Sequence, residues 1–474
     1  MNLTELGDEP PRLLKLRLEA PIVSRVLRLG SWVMLAMITQ FFVNAADTFM
    51  VGRLADKDAA TVAQAALGLG MPFFWAIGGF FSAVSFGTQA MTARRYAEGR
   101  PDKAGQVLFN SLTVATLCGV FGMIFGYLIT PAGIGFLAQA SPEQAQLGSD
   151  YTQLRMLGVP AMVITFSFKA FFDGVGKTHV HLWAALTMNV VNVVINYFLI
   201  YGYPSLGIPQ MGLYGAGIAS ALTTYIGSVI MLLVSLSPDY RKKYNFYRVR
   251  HLSRAIMGRI VRLMIPSGSA TVILMAGFLL FMRFVGQIDA IEGTNANSAA
   301  TKAIMDTAAL CFMPLIAFGT ATATAVSQSL GAGKLNLAAR YGWESVRVGV
   351  LAMIAIGVCF ALFPYEILSV WAPNDPAVAE AGATSLRMIA GSLPFMAIGL
   401  ILSQALYGAG ANTFVMLVEG ILHFGVLVPL SWYLGPYLGF GMEGIWGAAM
   451  LYVTLLGIAM GMKFAGKSWR HIRL

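Results

Sequence analysis

Charge is what this 474-residue sequence has least of: Asp, Glu, Lys and Arg together make up 11% of it. A soluble globular chain carries about 25%, so a water-soluble fold of this size would lack the polar side chains to cover its surface. Cysteine is nearly missing, with three residues and no C-x-x-C pair. That excludes a disulfide framework or a cysteine-based zinc site, and Cys118, Cys311 and Cys359 read as small core residues. Histidine is almost as sparse, at five residues, with no pair beside an acid at metal-ligand spacing. No Ser-His or paired-Asp signature falls in an apolar stretch, so nothing marks an enzyme. Polar repeats and strict periodicities are missing, which removes disorder, collagen and coiled coil. Gly176-Lys177-Thr178 looks like the end of a phosphate-binding loop, but that motif needs glycine at position 171, which is Phe171.

Apolar residues are what the sequence has: 57% hydrophobic, 12% aromatic, and a mean hydropathy of +0.69. A membrane helix takes about 20 apolar residues. Twelve such stretches lie near 26–50, 62–90, 107–130, 152–172, 180–202, 213–236, 262–287, 299–328, 345–371, 386–408, 412–434 and 443–464. These runs are long and continuous, whereas barrel strands are about 10 residues of alternating polarity. The fold class expected is an all-α polytopic membrane protein of twelve transmembrane helices.

The net charge of +10 is unevenly distributed. With the N-terminus inside and sides alternating at each span, 25 of the 32 Lys and Arg fall in inner segments. Arg53, Lys57, Arg155, Arg283, Lys302 and Arg387 fall on or toward the outside, and Lys169 stays within a span. The positive-inside rule then places both termini in the cytoplasm. The N-terminal stretch is too charged and too early-acidic for a cleaved signal. Segment 237–262 is the one large basic loop and reads as an interfacial linker resting on anionic headgroups, so membrane lipids are expected partners and nucleic acid is not.

A shift of 234 residues superposes the sequence on itself. Arg25 and Arg28 fall on Arg259 and Arg262, Val51-Gly52 on Val285-Gly286, Gly99 on Gly333, Ala104 on Ala338, Pro160 on Pro394, Gly174 on Gly408 and Gly176 on Gly410. One offset held over some 150 residues implies a duplicated six-span unit. Six is even, so the halves are parallel repeats related by an axis along the membrane normal, an arrangement that recurs in secondary transporters with alternating access. The expected organisation is a cytoplasmic segment 1–25, an N-lobe 26–236, a basic linker 237–261, a C-lobe 262–464 and a cytoplasmic tail 465–474.

The repeat anchors carry a family resemblance. The first span ends in N-A-A-D-T-F-M-V-G at Asn44–Gly52. The turns after spans 2 and 8 read Y-A-E-G-R-P-D-K-A (96–104) and L-G-A-G-K-L-N-L-A (330–338). Spans 4 and 10 close with F-F-D-G-V-G-K-T (171–178) and L-Y-G-A-G-A-N-T (406–413), and span 5 holds M-N-V-V-N-V-V-I-N (188–196), followed by G-L-Y-G-A-G-I-A (212–219). In order and spacing these resemble the multidrug and toxic compound extrusion (MATE) family over nearly the whole chain. The resemblance implies a V-shaped pair of six-helix lobes in the bacterial or archaeal plasma (cell inner) membrane. It also implies export of cationic or amphipathic small molecules in exchange for H+ or Na+.

An ionisable group inside a membrane costs at least about 2.5–3.5 kcal/mol near the bilayer centre and invites a functional reading. Asp47 sits near the outer end of span 1 and matches the first-span acid of the family's D-T-x-x-V-G motif. The resemblance makes it the group for which coupling cation and substrate compete, with Asn44 one turn before it. Asn189, Asn192 and Asn196 lie at i, i+3 and i+7, one face of span 5. That face serves either interhelical hydrogen bonds or a cavity. At 1.5 Å per residue, Asn196 lies within roughly 5 Å of Asp47 in depth. The archaeal DinF-like branch has a second acid where this chain has Asn196. The acids of the sodium-coupled NorM-like branch fall on Leu274 and Met396 here, and Asp47 falls on Phe281 in the second repeat. The chain therefore reads as closer to DinF-like members, with coupling in the N-lobe. An acid in a poorly hydrated cleft readily takes a proton, so H+ is favoured over Na+, with no cofactor or metal. The gradient supplies about 1.4 kcal/mol per pH unit and about 2.3 kcal/mol per charge per 100 mV.

Met34, Met37 and Phe41 share span 1 with Asp47 and suit an adaptable substrate wall. Lys302 and Asp306, Glu419 and His423, and Lys169 and Asp173 stand four apart and read as local pairs. A contact of Asp306 with Arg283, and a relay through Glu419 and His423, are the alternatives. A monomer is expected. The alternative function is a flippase for lipid-linked saccharides of the same superfamily, for which Arg155, Arg283, Lys302 and Arg387 are the available cations.

Overall fold

The computed structural model describes residues 7–11, 18–54, 57–137, 142–372 and 375–474. Without water, backbone polar groups must bond within their own segment, and the described chain is accordingly helical. Its one isolated β-bridge among the described residues joins Tyr203 to Ile208. In chain order the first helices are α1 (Ala20–Gly52), α2 (Lys57–Ser82), α3 (Val84–Ala97), α4 (Pro101–Leu137), α5 (Pro142–Met156), α6 (Val159–Gly174), α7 (Thr178–Tyr201) and α8 (Gly212–Leu236). A short α9 (Pro238–Tyr244) leads to α10 (Arg254–Glu292), α11 (Ala296–Gly331), α12 (Leu335–Leu362), α13 (Pro364–Trp371), α14 (Pro376–Ala409), α15 (Asn412–Leu422), α16 (Val428–Trp432) and α17 (Gly441–Ala465). Eleven stretches are long and apolar enough to cross a membrane, and the bent pair α5–α6 makes a twelfth when taken as one span.

Three spans depart from the continuous helices that hydropathy suggests. Span 4 bends by 49° between α5 and α6, where the Gly158 N–H turns back onto the Arg155 carbonyl at 2.9 Å. Gly158 also lets α8 come close, since a Cβ there would lie 3.1 Å from Ala221 Cα. Span 2 breaks at Ala83 into α2 and α3. Span 11 carries two π-turns, His423–Leu427 and Tyr433–Tyr437. Pro429 and Pro436 withhold N–H donors from this span, and wider i→i+5 turns absorb the missing bonds. Helix α10 begins at Arg254, within the stretch that reads as linker.

The chain forms two compact units, Trp32–Val272, and Met1–Ser31 with Ile273–Leu474. In the first unit small residues set helix spacing: Gly119 meets Pro160, and Gly126 meets Met156 Sδ at 2.6 Å from a built Cβ. Leu117, Phe121, Phe125 and Leu128 form an exposed stripe on α4, as a lipid-facing surface requires. In the second unit the N-terminal segment is docked onto α12. Asp8 Oδ1 accepts the Leu337 N–H (2.8 Å), the Gly7 carbonyl accepts from Arg340 (2.9 Å), and the Arg340 guanidinium ion-pairs with Glu19. Arg25 donates to Gln328 (2.6 Å) and to the Tyr341 hydroxyl (3.2 Å).

The 234-residue offset recurs in contacts that motif matching did not use. Thr88 and Ser111 share a buried hydrogen bond of 2.5 Å in the first unit, and Thr322 and Ser345 share one of 2.8 Å in the second. A Cβ on Gly174 would stand 3.0 Å from the Gln89 carbonyl, and one on Gly408 would stand 2.5 Å from the Ala323 carbonyl. Cys311 is buried, Cys118 half-buried and Cys359 exposed, all as free thiols. Cys359 therefore departs from the core placement that its small size suggests. It sits beside the exposed Val358 on α12, where an apolar thiol is compatible with lipid.

Backbone atoms cannot move aside as a side-chain tip can. Gly408→Ala should therefore lower thermal stability in detergent by about 1–3 kcal/mol, while Gly391→Ala, with open space around its Cβ, leaves it unchanged. Arg340→Ala should release the N-terminal segment, read as faster amide exchange at residues 18–25 with the transmembrane core unaffected.

Candidate functional site

The first unit brings α1 and α7 together along small residues, with Ala36, Leu182 and Ala185 packed as one buried group. Further along the same pair, Val51 packs with Ile200 and Leu213. Between these contacts the polar face of α7 meets α1. Asn189 donates to the Thr39 hydroxyl at 2.9 Å, and Thr39 in turn donates to the Ala36 carbonyl at 2.8 Å. Two turns on, Asn196 Nδ2 donates to Asp47 Oδ1 at 2.6 Å and to Asn192 Oδ1 at 3.0 Å. Asn192 donates across to Thr223 on α8 at 3.5 Å, and Thr223 anchors on the Ala219 carbonyl at 2.5 Å. Asp47 is 4% exposed and Asn196 is fully buried.

This chain of side chains leaves one loose end. Asn196 Oδ1 is buried with no hydrogen-bond partner among the described residues. Such a group costs about 1–3 kcal/mol, and it stands on the amide that holds the carboxylate. Together they offer a negatively charged and a neutral oxygen ligand to a small cation, or to a proton donor. Arg155 on α5 acts electrostatically on Asp47. Its guanidinium donates to the Tyr151 hydroxyl at 2.8 Å and lies 4.4 Å over the Phe74 ring. A cation is thus held near the carboxylate by aromatic partners and not by direct pairing.

Thr39, Tyr151 and Thr223 are the members that sequence reasoning missed, and Arg155 is named there only as a cation toward the outside, not as a neighbour of Asp47. Tyr151 and Arg155 stand one helical turn apart within the bent span, a spacing that invites pairing. The two threonines carry no such signal, because an intrahelical bond satisfies any membrane threonine. Met34 and Met37 are half-buried on α1. The side chains of Phe41 and Asn44 lie outside the described residues.

The remaining charged residues find other partners. Lys302 and Asp306 form an ion pair at 2.7 Å, and Arg283 is exposed on α10. Lys169 lies 5.4 Å over the Phe166 ring and senses the buried Asp173. His423 does not bond the Glu419 carboxylate, as four-residue spacing suggests; its Nδ1 meets the Glu419 backbone carbonyl at 2.8 Å. The contact lies within the helical turn that precedes the π-turn, where the His423 N–H also bonds the Glu419 carbonyl. It packs 4.5 Å from the Tyr452 ring, in room that Gly277 leaves open. No group of three or more metal-ligating residues occurs among the described residues.

Against known proteins, the MatE family model matches the chain twice, over residues 33–198 and 266–433. The multidrug resistance protein PmpM of Pseudomonas aeruginosa is 27% identical over 467 residues, covering 97% of this chain and 94% of that one. A probable multidrug resistance protein NorM of Thermotoga maritima is 23% identical, covering 86% and 85%. Among solved structures, a MOP superfamily transporter from Pyrococcus furiosus superposes with a TM-score of 0.82 at 19% identity, covering 94% of this chain and 96% of that one. Another, described as the outward-facing conformation of a multidrug resistance MATE family transporter, gives the same TM-score and coverage. These structures share the two-lobe helical fold. With its family model matched on both repeats, the chain belongs to the MatE family, whose members are membrane transporters and not enzymes, and it is an integral multi-pass membrane protein.

Proposed function

We propose that this protein is a secondary active efflux antiporter. It exports cationic or amphipathic small molecules in exchange for H+ through the site at Asp47. The observation that carries the reading is the buried carboxylate of Asp47 held by Asn196, whose amide oxygen has no partner among the described residues. A carboxylate in such surroundings is stabilised by a proton, a cation or a cationic substrate, and it holds only one of them at a time. Competition for one charge gives exchange when the empty site does not itself switch between the two sides. Relatives named as multidrug resistance proteins support small-molecule export. The apolar residues at Leu274, Met396 and Phe281 support coupling in the first repeat and a DinF-like character.

The arrangement of charges supports cytoplasmic termini in a plasma (cell inner) membrane. The 234-residue repeat supports lobes of residues 26–236 and 262–464 joined by the linker 237–261. The protein works as a monomer without a cofactor.

Efflux of a fluorescent organic cation from proteoliposomes, driven separately by ΔpH and by a Na+ gradient, tests the proposal. Efflux should follow ΔpH and vanish in Asp47→Asn. Efflux driven only by Na+ would replace the ion, and coupled efflux retained in Asp47→Asn would remove Asp47 from the mechanism. Asn196→Ala should slow ΔpH-driven efflux about 10-fold or more, since a hydrogen bond to a charged group contributes about 1.5–3 kcal/mol. Asn189→Ala, which loses only the Thr39 contact, should transport normally.

A further inference from the structure

The proposed exchange makes no use of the segment between α8 and α10, which is the most strongly basic part of the first unit. Its backbone is fixed. The Ser253 N–H donates to Asn110 Oδ1 at 2.7 Å, and the His251 carbonyl accepts from Asn110 and Gln106 at 2.8 and 2.9 Å. Tyr247 is hydrogen-bonded to Ser235. Tyr244 and Phe246 are buried against Phe171 at ring distances of 5.1 and 5.3 Å, and Tyr240 packs on Phe172 at 5.4 Å. Gly105 permits the closest approach, because any Cβ there would strike the Tyr244 carbonyl. The segment is therefore a plate clamped on α4 and α6, not a loose tether.

Together with Asp102 at the start of α4, this plate frames a cavity of about 700 Å3 lined by Arg241, Lys242, Lys243, Asn245 and Arg248. Four cations thus face one acid. Arg241, Lys242 and Arg248 make no ion pair among the described residues. A neighbouring cavity of about 220 Å3, lined by Arg95, Arg100 and Lys103, differs in this respect. There Glu98 lies 3.0 Å from Arg95 and 3.7 Å from Arg100. The larger cavity is where uncompensated positive charge collects.

Apolar side chains border the same plate. Leu236 lines the cavity at the end of α8, one turn after the exposed Leu232 and Leu233. Val249 is 78% exposed, and Leu252 is exposed too, between and beyond Arg248 and Arg250. A pocket for a freely dissolved phosphate has no use for exposed aliphatic groups beside its cations. A surface that meets acyl chains and headgroups together does.

We infer that this cavity is a seat for the phosphate of an anionic phospholipid headgroup, with Arg241, Lys242 and Arg248 as its ligands and Val249 and Leu252 dipping among the acyl chains. The inference rests on the membrane placement of the chain and not on the transport reaction, so either can fail without the other.

The test is lipid binding by the full chain in a nonionic detergent, by native mass spectrometry and thermal stabilisation. The probes are phosphatidylglycerol, phosphatidylcholine, inorganic phosphate and a short RNA. Phosphatidylglycerol should bind saturably and raise the melting temperature, and phosphatidylcholine should do neither. The triple variant Arg241→Ala, Lys242→Ala, Arg248→Ala should weaken that binding on the order of 100-fold, since each basic residue near an anionic surface contributes about 1 kcal/mol. The charge-conserving pair Arg241→Lys, Arg248→Lys should retain it and shows that the plate still folds. A control triple, Lys463→Ala, Lys467→Ala, Arg473→Ala, removes the same charge elsewhere and should leave binding intact. Equal loss in the control would overturn the pocket in favour of diffuse attraction. Stabilisation by inorganic phosphate, or tighter retention of RNA than of lipid, would overturn the lipid headgroup as its ligand.

Discussion

A carboxylate inside an apolar helix bundle must be given donors, share a cation or lose its charge. Asp47 sets this requirement for the first unit, and the arrangement of α1, α7 and α8 answers it. The donor is Asn196, which reaches Asp47 because Ala36 and Ala185 let α1 and α7 approach on one side and Val51 meets Ile200 on the other. Asn196 is itself oriented by Asn192, and Asn192 points toward Thr223 on a third helix. Each link uses an amide or hydroxyl already committed to its neighbour, so moving any one helix disturbs the carboxylate. On the proposed exchange, a proton or cation arriving at Asp47 acts directly on α1 and α7, and on α8 through the longer Asn192–Thr223 contact of 3.5 Å.

The packing outside the site depends on a second constraint, the close approach of backbones without a hydrophobic driving force between helices. It is met the same way in both units. Thr88 with Ser111 and Thr322 with Ser345 join corresponding helices, and Gly174 and Gly408 admit corresponding carbonyls. These pairs are small and polar enough to bond across helices, and neither half can lose one without opening a gap.

The fold was legible because hydropathy alone forces helices in a membrane, and the duplication because its anchors are glycines and prolines that cannot be exchanged. The approach of Asp47 to Asn196 was legible as well, since depth follows from residue counting at a fixed rise per residue. What escaped was everything that depends on azimuth or on a break in the helix. The bend between α5 and α6 turns Tyr151 and Arg155 toward the acid, and no periodicity within either half records it. The His423 ring meets the Glu419 backbone carbonyl where four-residue spacing suggests the carboxylate. The docking of Asp8 and Glu19 on α12 joins residues more than 300 apart, and unpatterned termini announce no such partner.

At the position of the carboxylate, the duplication has kept its packing and dropped the charge. At the repeat offset Asp47 falls on Phe281, and Asn192 and Asn196 fall on Val426 and Leu430. Phe281 is buried and stacks edge-on at 5.1 Å against Trp446, so the second unit fills with aromatic surface the place where the first holds its carboxylate. Asn189 alone keeps a polar counterpart, His423, which is tied to its own helix by the bond to the Glu419 carbonyl. A buried acid is costly in every copy, whereas an apolar replacement at the same position packs without needing a partner. On the proposed exchange one carboxylate suffices, because substrate and coupling ion would compete for a single charge. On that proposal a second carboxylate at Phe281 would add desolvation cost without adding to the competition, and a duplicated frame needs only one such site.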